Sequence, residues 1–165
     1  MSLFLTLLPP EIHLLISTNL LFPDLLYLRL SCRYFYNLLP SPRHKDLLQA
    51  EQTTYAIAKN IYACRYCLRL RVASQFADRM LQRRRRRAGR DAWKRFCVEC
   101  GLAPRSGEAR YGPGAQIVIR GVLHVICVSC GEFGLGVYDR LGRGRDWCEG
   151  CWLRRESPYA SCHHR

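Results

Sequence analysis

The chain has 165 residues, 48% of them apolar, with 26 Lys or Arg against 13 Asp or Glu, a formal charge of +13, and 10 cysteines. That length excludes a large single-core enzyme such as a barrel of roughly 250 residues, and the apolar share excludes a disordered polar chain. No window holds the ~20 consecutive apolar residues that a membrane-spanning helix needs, so no membrane partner is expected.

The apolar N-terminus lacks a basic leader, and Pro9, Pro10 and Glu11 interrupt it before a secretory core could end in a cleavage site. The cysteines are therefore expected in a reducing compartment, the nucleus and/or cytoplasm, where clusters bind metal in preference to forming disulfides. Composition changes along the chain. Residues 1–50 hold 16 leucines, one cysteine (Cys32) and 4 basic against 3 acidic residues, whereas residues 51–165 hold nine cysteines and 22 basic against 10 acidic residues. The front and back halves thus solve different folding problems, with a joint near Pro40-Ser41-Pro42.

Three short helices are expected in residues 1–42. Pro9 or Pro10 opens the first, where a missing N–H costs nothing. Ile12, Leu15, Ile16 and Leu20 fall on one helical face. Phe22-Pro23 is expected to end that helix and Asp24 to cap the next. Leu25, Leu28, Cys32 and Phe35 then form one stripe, with Leu26 and Leu30 beside it. About forty residues cannot bury apolar side chains on several faces in a core of their own. Either the back half or a partner must cover the surplus.

The ordered set Leu8-Pro9-Pro10-Glu11-Ile12, Ile16, Leu20, Asp24-Leu25-Leu26, Leu28-Arg29-Leu30-Ser31-Cys32-Arg33, Phe35 and Leu38 resembles an F-box, whose pattern is LPxEI, a spacer, DLLxLRLxCRxF and a final leucine. The resemblance implies a three-helix module that docks on the Skp adaptor of Skp–cullin–F-box ubiquitin ligases. It also implies adaptor contacts from Leu8, Pro9, Ile12, Leu15, Ile16, Leu25 and Leu26.

Residues 43–63 are expected to form one connecting helix, anchored by Leu47, Leu48, Tyr55, Ile61 and Tyr62, with Ala50, Ala56 and Ala58 as good helix formers. Residues 64–155 follow as a cysteine-rich module. Eight cysteines form four C-x-x-C pairs: Cys64/Cys67, Cys97/Cys100, Cys127/Cys130 and Cys148/Cys151. Two intervening residues let a tight turn aim both sulfurs at one point, and two pairs complete a tetrahedral shell with Zn–S distances of about 2.3 Å. Eight ligands imply two structural zinc ions with no open position for catalysis. Cys100-Gly101 and Cys130-Gly131 suggest knuckles in which glycine takes a positive φ.

The 17 residues between Cys130 and Cys148 fit a local zinc site. Elimination joins Cys64/Cys67 to Cys97/Cys100. An interleaved pairing would cost only fractions of a kcal/mol more in loop entropy, so the preference for sequential pairing rests on the spacing rule. A RING-type cross-brace needs its middle ligand pairs nearly adjacent, and here 26 residues part them. A redox pair would need a βαβ context, which is absent.

Gln116–Ile119 and Val122–Ile126 read as a hairpin turning at Arg120-Gly121. His124 is expected to be a strand residue and not a ligand. Cys162, His163 and His164 are expected in a flexible tail over 156–165. The module as a whole reads as a small, irregular, zinc-stabilised α+β unit, zinc-ribbon-like, behind a mainly α front.

Cys64-Arg65-Tyr66-Cys67-Leu68-Arg69-Leu70-Arg71, Phe76-Ala77-Asp78 and Arg95-Phe96-Cys97-Val98-Glu99-Cys100-Gly101 also resemble a group of fungal F-box proteins with a CxxCLRLR and RFCxxCG cysteine region.

Residues 65–95 carry twelve Lys/Arg against two acids, centred on Arg83–Arg87. Three readings stand: a solvated loop whose charge offsets zinc-bound thiolates, a nuclear-localisation signal, or a phosphate-binding patch. No catalytic constellation is evident, so the chain is not expected to be an enzyme. The expected function is a substrate receptor that joins a Skp–cullin ligase to a protein target. Two alternatives remain: a zinc-ribbon nucleic-acid-binding or transcription-linked protein with a helical front, and a scaffold that binds the adaptor without a ligase role.

Overall fold

The structure, a computed structural model, describes residues 7–104 and 107–156. Helix α1 (Pro10–Asn19) begins with Pro10 at its first position, where φ is preset and no N–H is lost. It stops at Asn19, before Phe22-Pro23. Helix α2 (Asp24–Ser31) takes Asp24 as its first residue, and no side chain caps it. The expected capping role of Asp24 therefore gives way to Pro23 at the N-cap position, with Asp24 inside the first turn. Helix α3 (Arg33–Leu38) completes the front.

These helices bury little of their leucine. Among the described residues, α1 buries only His13 and Ser17, α2 buries none, and α3 buries Phe35, with Leu39 just beyond it. His13 Nδ1 meets the Tyr34 hydroxyl at 2.9 Å, and its ring stands edge-on to Tyr34 and Phe35. Of the expected stripe on α1, Ile12 and Leu15 are exposed, while Ile16 and Leu20, nearer to the His13 and Ser17 side, are half-buried. Arg29 holds the end of the unit by donating to the Leu39 carbonyl at 3.3 Å and the Ser41 hydroxyl at 3.0 Å.

The single helix expected over 43–63 is instead two helices and a strand. Helix α4 (His44–Ala50) is capped by the Asp46 carboxylate, which accepts from the Arg43 amide at 2.9 Å. Helix α5 (Thr54–Ala58) is capped by the Thr53 hydroxyl, which accepts from the Ala56 amide at 3.3 Å. Ile61 and Tyr62 belong to strand β1 (Ile61–Cys64). The helix breaks where Glu51 turns inward and where β-branched, hydroxyl-bearing Thr53 is a better cap than helix interior.

Strand β1 pairs antiparallel with β2 (Arg69–Val72), Cys64 opposite Arg69. A run of single 3-10 turns leads to α6 (Val98–Leu102). Strands β3 (Gln116–Ile119), β4 (Val122–Ile126), β5 (Phe133–Tyr138) and β6 (Gly144–Cys148) form an antiparallel meander in chain order. Helix α7 (Glu149–Glu156) closes the described chain. The β3–β4 hairpin has the expected strands, register and Arg120-Gly121 turn. The chain is thus helical at the front and a small antiparallel sheet region behind, α+β and not mainly α overall. The tail residues Cys162, His163 and His164 lie outside the described residues.

The core of the rear module is one cluster that mixes sulfur and hydrocarbon. Cys64, Cys67, Cys97 and Cys100 pack with Phe76, Met80, Val98, Tyr111, Ile117 and Ile126. Asp78 locks the hairpin to this core, its carboxylate accepting from the Arg120 amide at 2.8 Å and the Gly121 amide at 2.9 Å. This gives the Phe-Ala-Asp stretch a physical role: Phe76 and Ala77 are buried, and Asp78 holds the turn.

Candidate metal centres

The eight paired cysteines gather into two groups, Cys64/Cys67 with Cys97/Cys100 and Cys127/Cys130 with Cys148/Cys151, and within each group the four sulfurs lie within 4.8 Å of one another. The pairing is sequential. Among the described residues no cysteine is in a disulfide. Around a tetrahedral ion with bonds of about 2.3 Å, sulfurs stand about 3.8 Å apart. Cys130 Sγ and Cys148 Sγ are 3.8 Å apart. Either group could hold a metal ion.

Both centres are assembled in the same way. One pair comes from a turn after a strand. The other comes from the start of a helix. In the first centre, β1 ends at Cys64, and the turn is closed by the Leu68 amide donating to the Cys64 carbonyl at 3.2 Å, with Leu68 at φ 51°. In the second, the Gly131 amide donates to the Cys127 carbonyl at 2.8 Å, and Gly131 has φ 75°. The other pairs sit on helices: Cys97 is the N-cap of α6 with Cys100 inside it, and Cys148 immediately precedes α7 with Cys151 in its first turns. Of the two expected knuckles, the turn at Cys127–Gly131 forms, and Cys97/Cys100 sit instead at the start of a helix.

Gly101 was expected to supply a positive φ, and it has a different role. It lies inside α6, and a Cβ there would overlap the Tyr111 ring and crowd Phe96. Glycine is needed at this position for close approach, so that Tyr111 can cover the first centre. Gly131 does fill the positive-φ role.

The electrostatics follow from crowding four thiols. In the first centre, hydrogen bonds from Cys67 and Cys97 hold the Cys64 thiol far below its ordinary value, and the Cys97 amide donates to Cys64 Sγ at 3.3 Å. The shared proton pushes Cys97 up correspondingly, and desolvation pushes Cys100 up to about 11. In the second centre desolvation opposes ionisation of Cys127, but donation from the Cys148, Cys130 and Ser129 amides outweighs it and brings the thiol down to about 6. Cys130 gains from the Glu132 amide, yet desolvation and proton sharing with its neighbours raise it to about 11. Without a cation, then, each group holds thiolate and thiol together. A divalent ion removes the repulsion that keeps the remaining protons on.

Four thiolates around a divalent ion leave a charge of −2, and two arginines face the sulfurs. Arg154 donates to Cys151 Sγ at 3.0 Å. Arg71 lies against Cys67 while pairing with Glu99 at 2.7 Å. Among the described residues no guanidinium of the 83–87 run bonds to a cysteine sulfur. The direct contacts to the sulfurs are thus made by Arg71 and Arg154.

The two centres differ in shielding. All four cysteines of the first are buried, whereas Cys130 is exposed and Cys148 half-buried in the second. His124 stands in β4, stacked on Phe133 at 5.4 Å, outside both groups.

The residues that sequence reasoning missed are those that fasten the first centre to the connecting helices. Glu51 and Arg95 are fully buried and ion-paired. Glu51 Oε2 also accepts from the Ala63 amide at 2.9 Å, next to Cys64. Arg87 donates to the Glu51 carbonyl and, at 3.1 Å, to the Ile61 carbonyl, and it covers the Tyr62 ring at 4.3 Å. The arginine two positions before Cys97 in the RFCxxCG stretch was a visible signal. Nothing in the sequence marked Glu51 as its partner.

Of the front-half candidates, Leu8, Pro9, Ile12, Leu15 and Leu25 are exposed, and Ile16 and Leu26 are half-buried. Leu25 and Leu26, with Phe22, Leu39 and Leu47, line an apolar cleft of about 300 Å³ between the first helices and α4. Comparison with protein-family models, curated proteins and solved structures finds no match to this chain.

Proposed function

We propose that this chain is a non-enzymatic substrate receptor of a Skp–cullin–F-box ubiquitin ligase: its front helices dock the Skp adaptor, and its rear module, built on two structural zinc ions, presents a surface to a protein target. The observation that carries the reading is the inverted burial of the front helices. Helix α1 turns His13 and Ser17 inward and leaves Ile12 41% and Leu15 61% exposed, and Leu8 at 38% and Leu25 at 39% are uncovered as well. Patches of this kind on a soluble chain mark interaction sites. Each of these four leucines and isoleucines is also one that the F-box resemblance assigns to the adaptor.

Zinc is the ion that suits closed four-sulfur sites. It takes thiolates without a redox change and favours a tetrahedral shell, and with no ligand position left open it would act structurally. In that role the metal contributes folding energy and does no chemistry.

The test is co-purification of the full chain with the Skp adaptor. Wild type should bind at micromolar concentration or tighter. Replacing Leu8 and Pro9 by alanine, or Ile16→Lys, should abolish capture while metal content stays unchanged. Absence of binding by wild type would remove the F-box reading. Recruitment of a cullin through the adaptor separates a receptor from a scaffold.

A further inference from the structure

Among the described residues the 83–87 arginine run makes no contact with the cysteine sulfurs, and Arg83, Arg84 and Arg86 are exposed on a loop that is nonetheless closed by its own backbone. Residues 82–92 close on themselves through backbone bonds. The Arg85 amide donates to the Gln82 carbonyl at 3.0 Å, the Gly89 amide to the Arg86 carbonyl at 2.8 Å, and the Asp91 amide to the Arg84 carbonyl at 2.9 Å. Gly89 packs so tightly on the Arg84 carbonyl that a Cβ there would overlap it. Arg83 is held at φ 52° and Ala88 at φ 56°, left-handed conformations that are unfavourable for residues other than glycine. The fold thus spends conformational energy to fix like charges side by side.

The arginines divide into two sets. Arg87 is committed to the Glu51 and Ile61 carbonyls, and Arg85 to Met80 Sδ at 2.9 Å. Among the described residues, the guanidiniums of Arg83, Arg84, Arg86 and Arg90 make no hydrogen bond, and Arg84 and Arg90 act on Asp91 only through their charge. Arg83 and Arg84 line a cleft of about 710 Å³ together with Arg79, Gln82, Arg85 and Asp91. Asp91, the one acid there, is engaged by Lys94 at 3.0 Å. Arg79 is braced over the Tyr111 ring at 5.3 Å, which ties the cleft wall to the cover of the first metal centre.

We infer that this cleft is a binding site for a compact, multiply charged phosphate-bearing ligand. Arginine forks pair bidentately with phosphate oxygens, and the closed backbone of the loop holds the two arginines next to each other. A cleft lined by six residues of one short stretch suits a compact group. A nucleic-acid backbone calls instead for a basic groove that tracks several nucleotides, with aromatic platforms along it. The inference is independent of adaptor docking.

Sodium tripolyphosphate is the probe, titrated calorimetrically into the metal-loaded full chain at about 0.15 M salt, where long-range charge effects are largely screened. Micromolar binding is expected. Arg83→Gln with Arg84→Gln should weaken it roughly tenfold or more, the loss of at least one charge-assisted pair. The charge-matched control, Arg86→Gln with Arg90→Gln, should change it less than about twofold, since neither lines the cleft. Unchanged metal content and melting temperature would show that folding is intact. If the Arg83 change disturbs the loop, Arg84→Gln alone must still lose more than Arg86→Gln. A doubly phosphorylated serine peptide distinguishes the source: binding tighter than tripolyphosphate points to phosphate carried on a protein, and weaker binding to a free polyphosphorylated molecule. No binding by wild type, equal losses in both double variants, or duplex DNA binding that tripolyphosphate does not displace would overturn the inference.

Discussion

Glu51→Leu should be among the most damaging single changes in this chain. Its carboxylate is fully buried, pairs with the fully buried Arg95 and accepts from the Ala63 amide at 2.9 Å. Removing it strands Arg95 without a counter-charge, a loss of about 3–5 kcal/mol, and leaves the Ala63 N–H unsatisfied, worth about 1–3 kcal/mol. Apart from Glu51, the Arg95 guanidinium faces the Tyr62 ring at 5.2 Å, which carries no counter-charge. Against a typical domain stability of about 5–15 kcal/mol, this is roughly a quarter or more of the total. Arg95→Met should cost about as much as the charge part alone. The double variant should cost much less than the sum, because no charge remains buried and only the Ala63 amide is orphaned. Urea unfolding followed by circular dichroism, with metal saturating, measures all three. The damage should also reach the first metal centre, because Ala63 precedes Cys64 and Arg95 stands two positions before Cys97. Faster chelator extraction of one metal, and not the other, is the expected second readout. Single-variant losses below about 1 kcal/mol, or losses that add within about 0.5 kcal/mol, would refute the reasoning.

Elemental analysis should give two zinc ions per chain, with Cys64→Ser or Cys97→Ser losing one and Cys127→Ser or Cys151→Ser losing the other; loss of both from a single change would contradict two separate centres. A chelator should empty the second centre first, since Cys130 is exposed while all four cysteines of the first are buried, and biphasic extraction with loss of β5–β6 amide signals before those of β1–β2 would show it. Gly101→Ala should destabilise the first centre by about 1–3 kcal/mol through overlap with the Tyr111 ring, whereas a neutral result in thermal melts would mean that Tyr111 moves aside freely. Cys100 and Cys130 stand at about 11 when no metal is bound, so at neutral pH each still carries a proton that the ion must displace. The free state therefore holds more protons than the bound state, and affinity should rise with pH across neutrality; calorimetry in buffers of different ionisation enthalpy measures the released protons, and a pH-independent affinity would contradict the assignment.

The chemistry of the metal centres was legible in the chain alone. Four C-x-x-C pairs imposed two four-sulfur groups because a two-residue spacer brings sulfurs together whatever surrounds them, and the 17-residue interval selected the local partner. The β3–β4 hairpin was legible for a similar reason, since alternation and a two-residue turn are local properties. What the folded chain decided is everything that depends on contacts distant in sequence. Gly101 reads like any knuckle glycine until Tyr111 is found across it. Residues 43–63 read as one helix until the pull of the Glu51 carboxylate toward Arg95, 44 positions away, breaks it in two. The arginine run reads as a single block of charge, yet Arg87 serves the interior and Arg83 and Arg84 an open cleft, because backbone closure of the loop points neighbouring side chains in different directions. The leucine stripes of the front helices were visible from periodicity, but periodicity does not say which side of a helix is covered. Only the packing of His13 and Ser17 against the interior shows that Ile12 and Leu15 are the part of the α1 stripe left facing out.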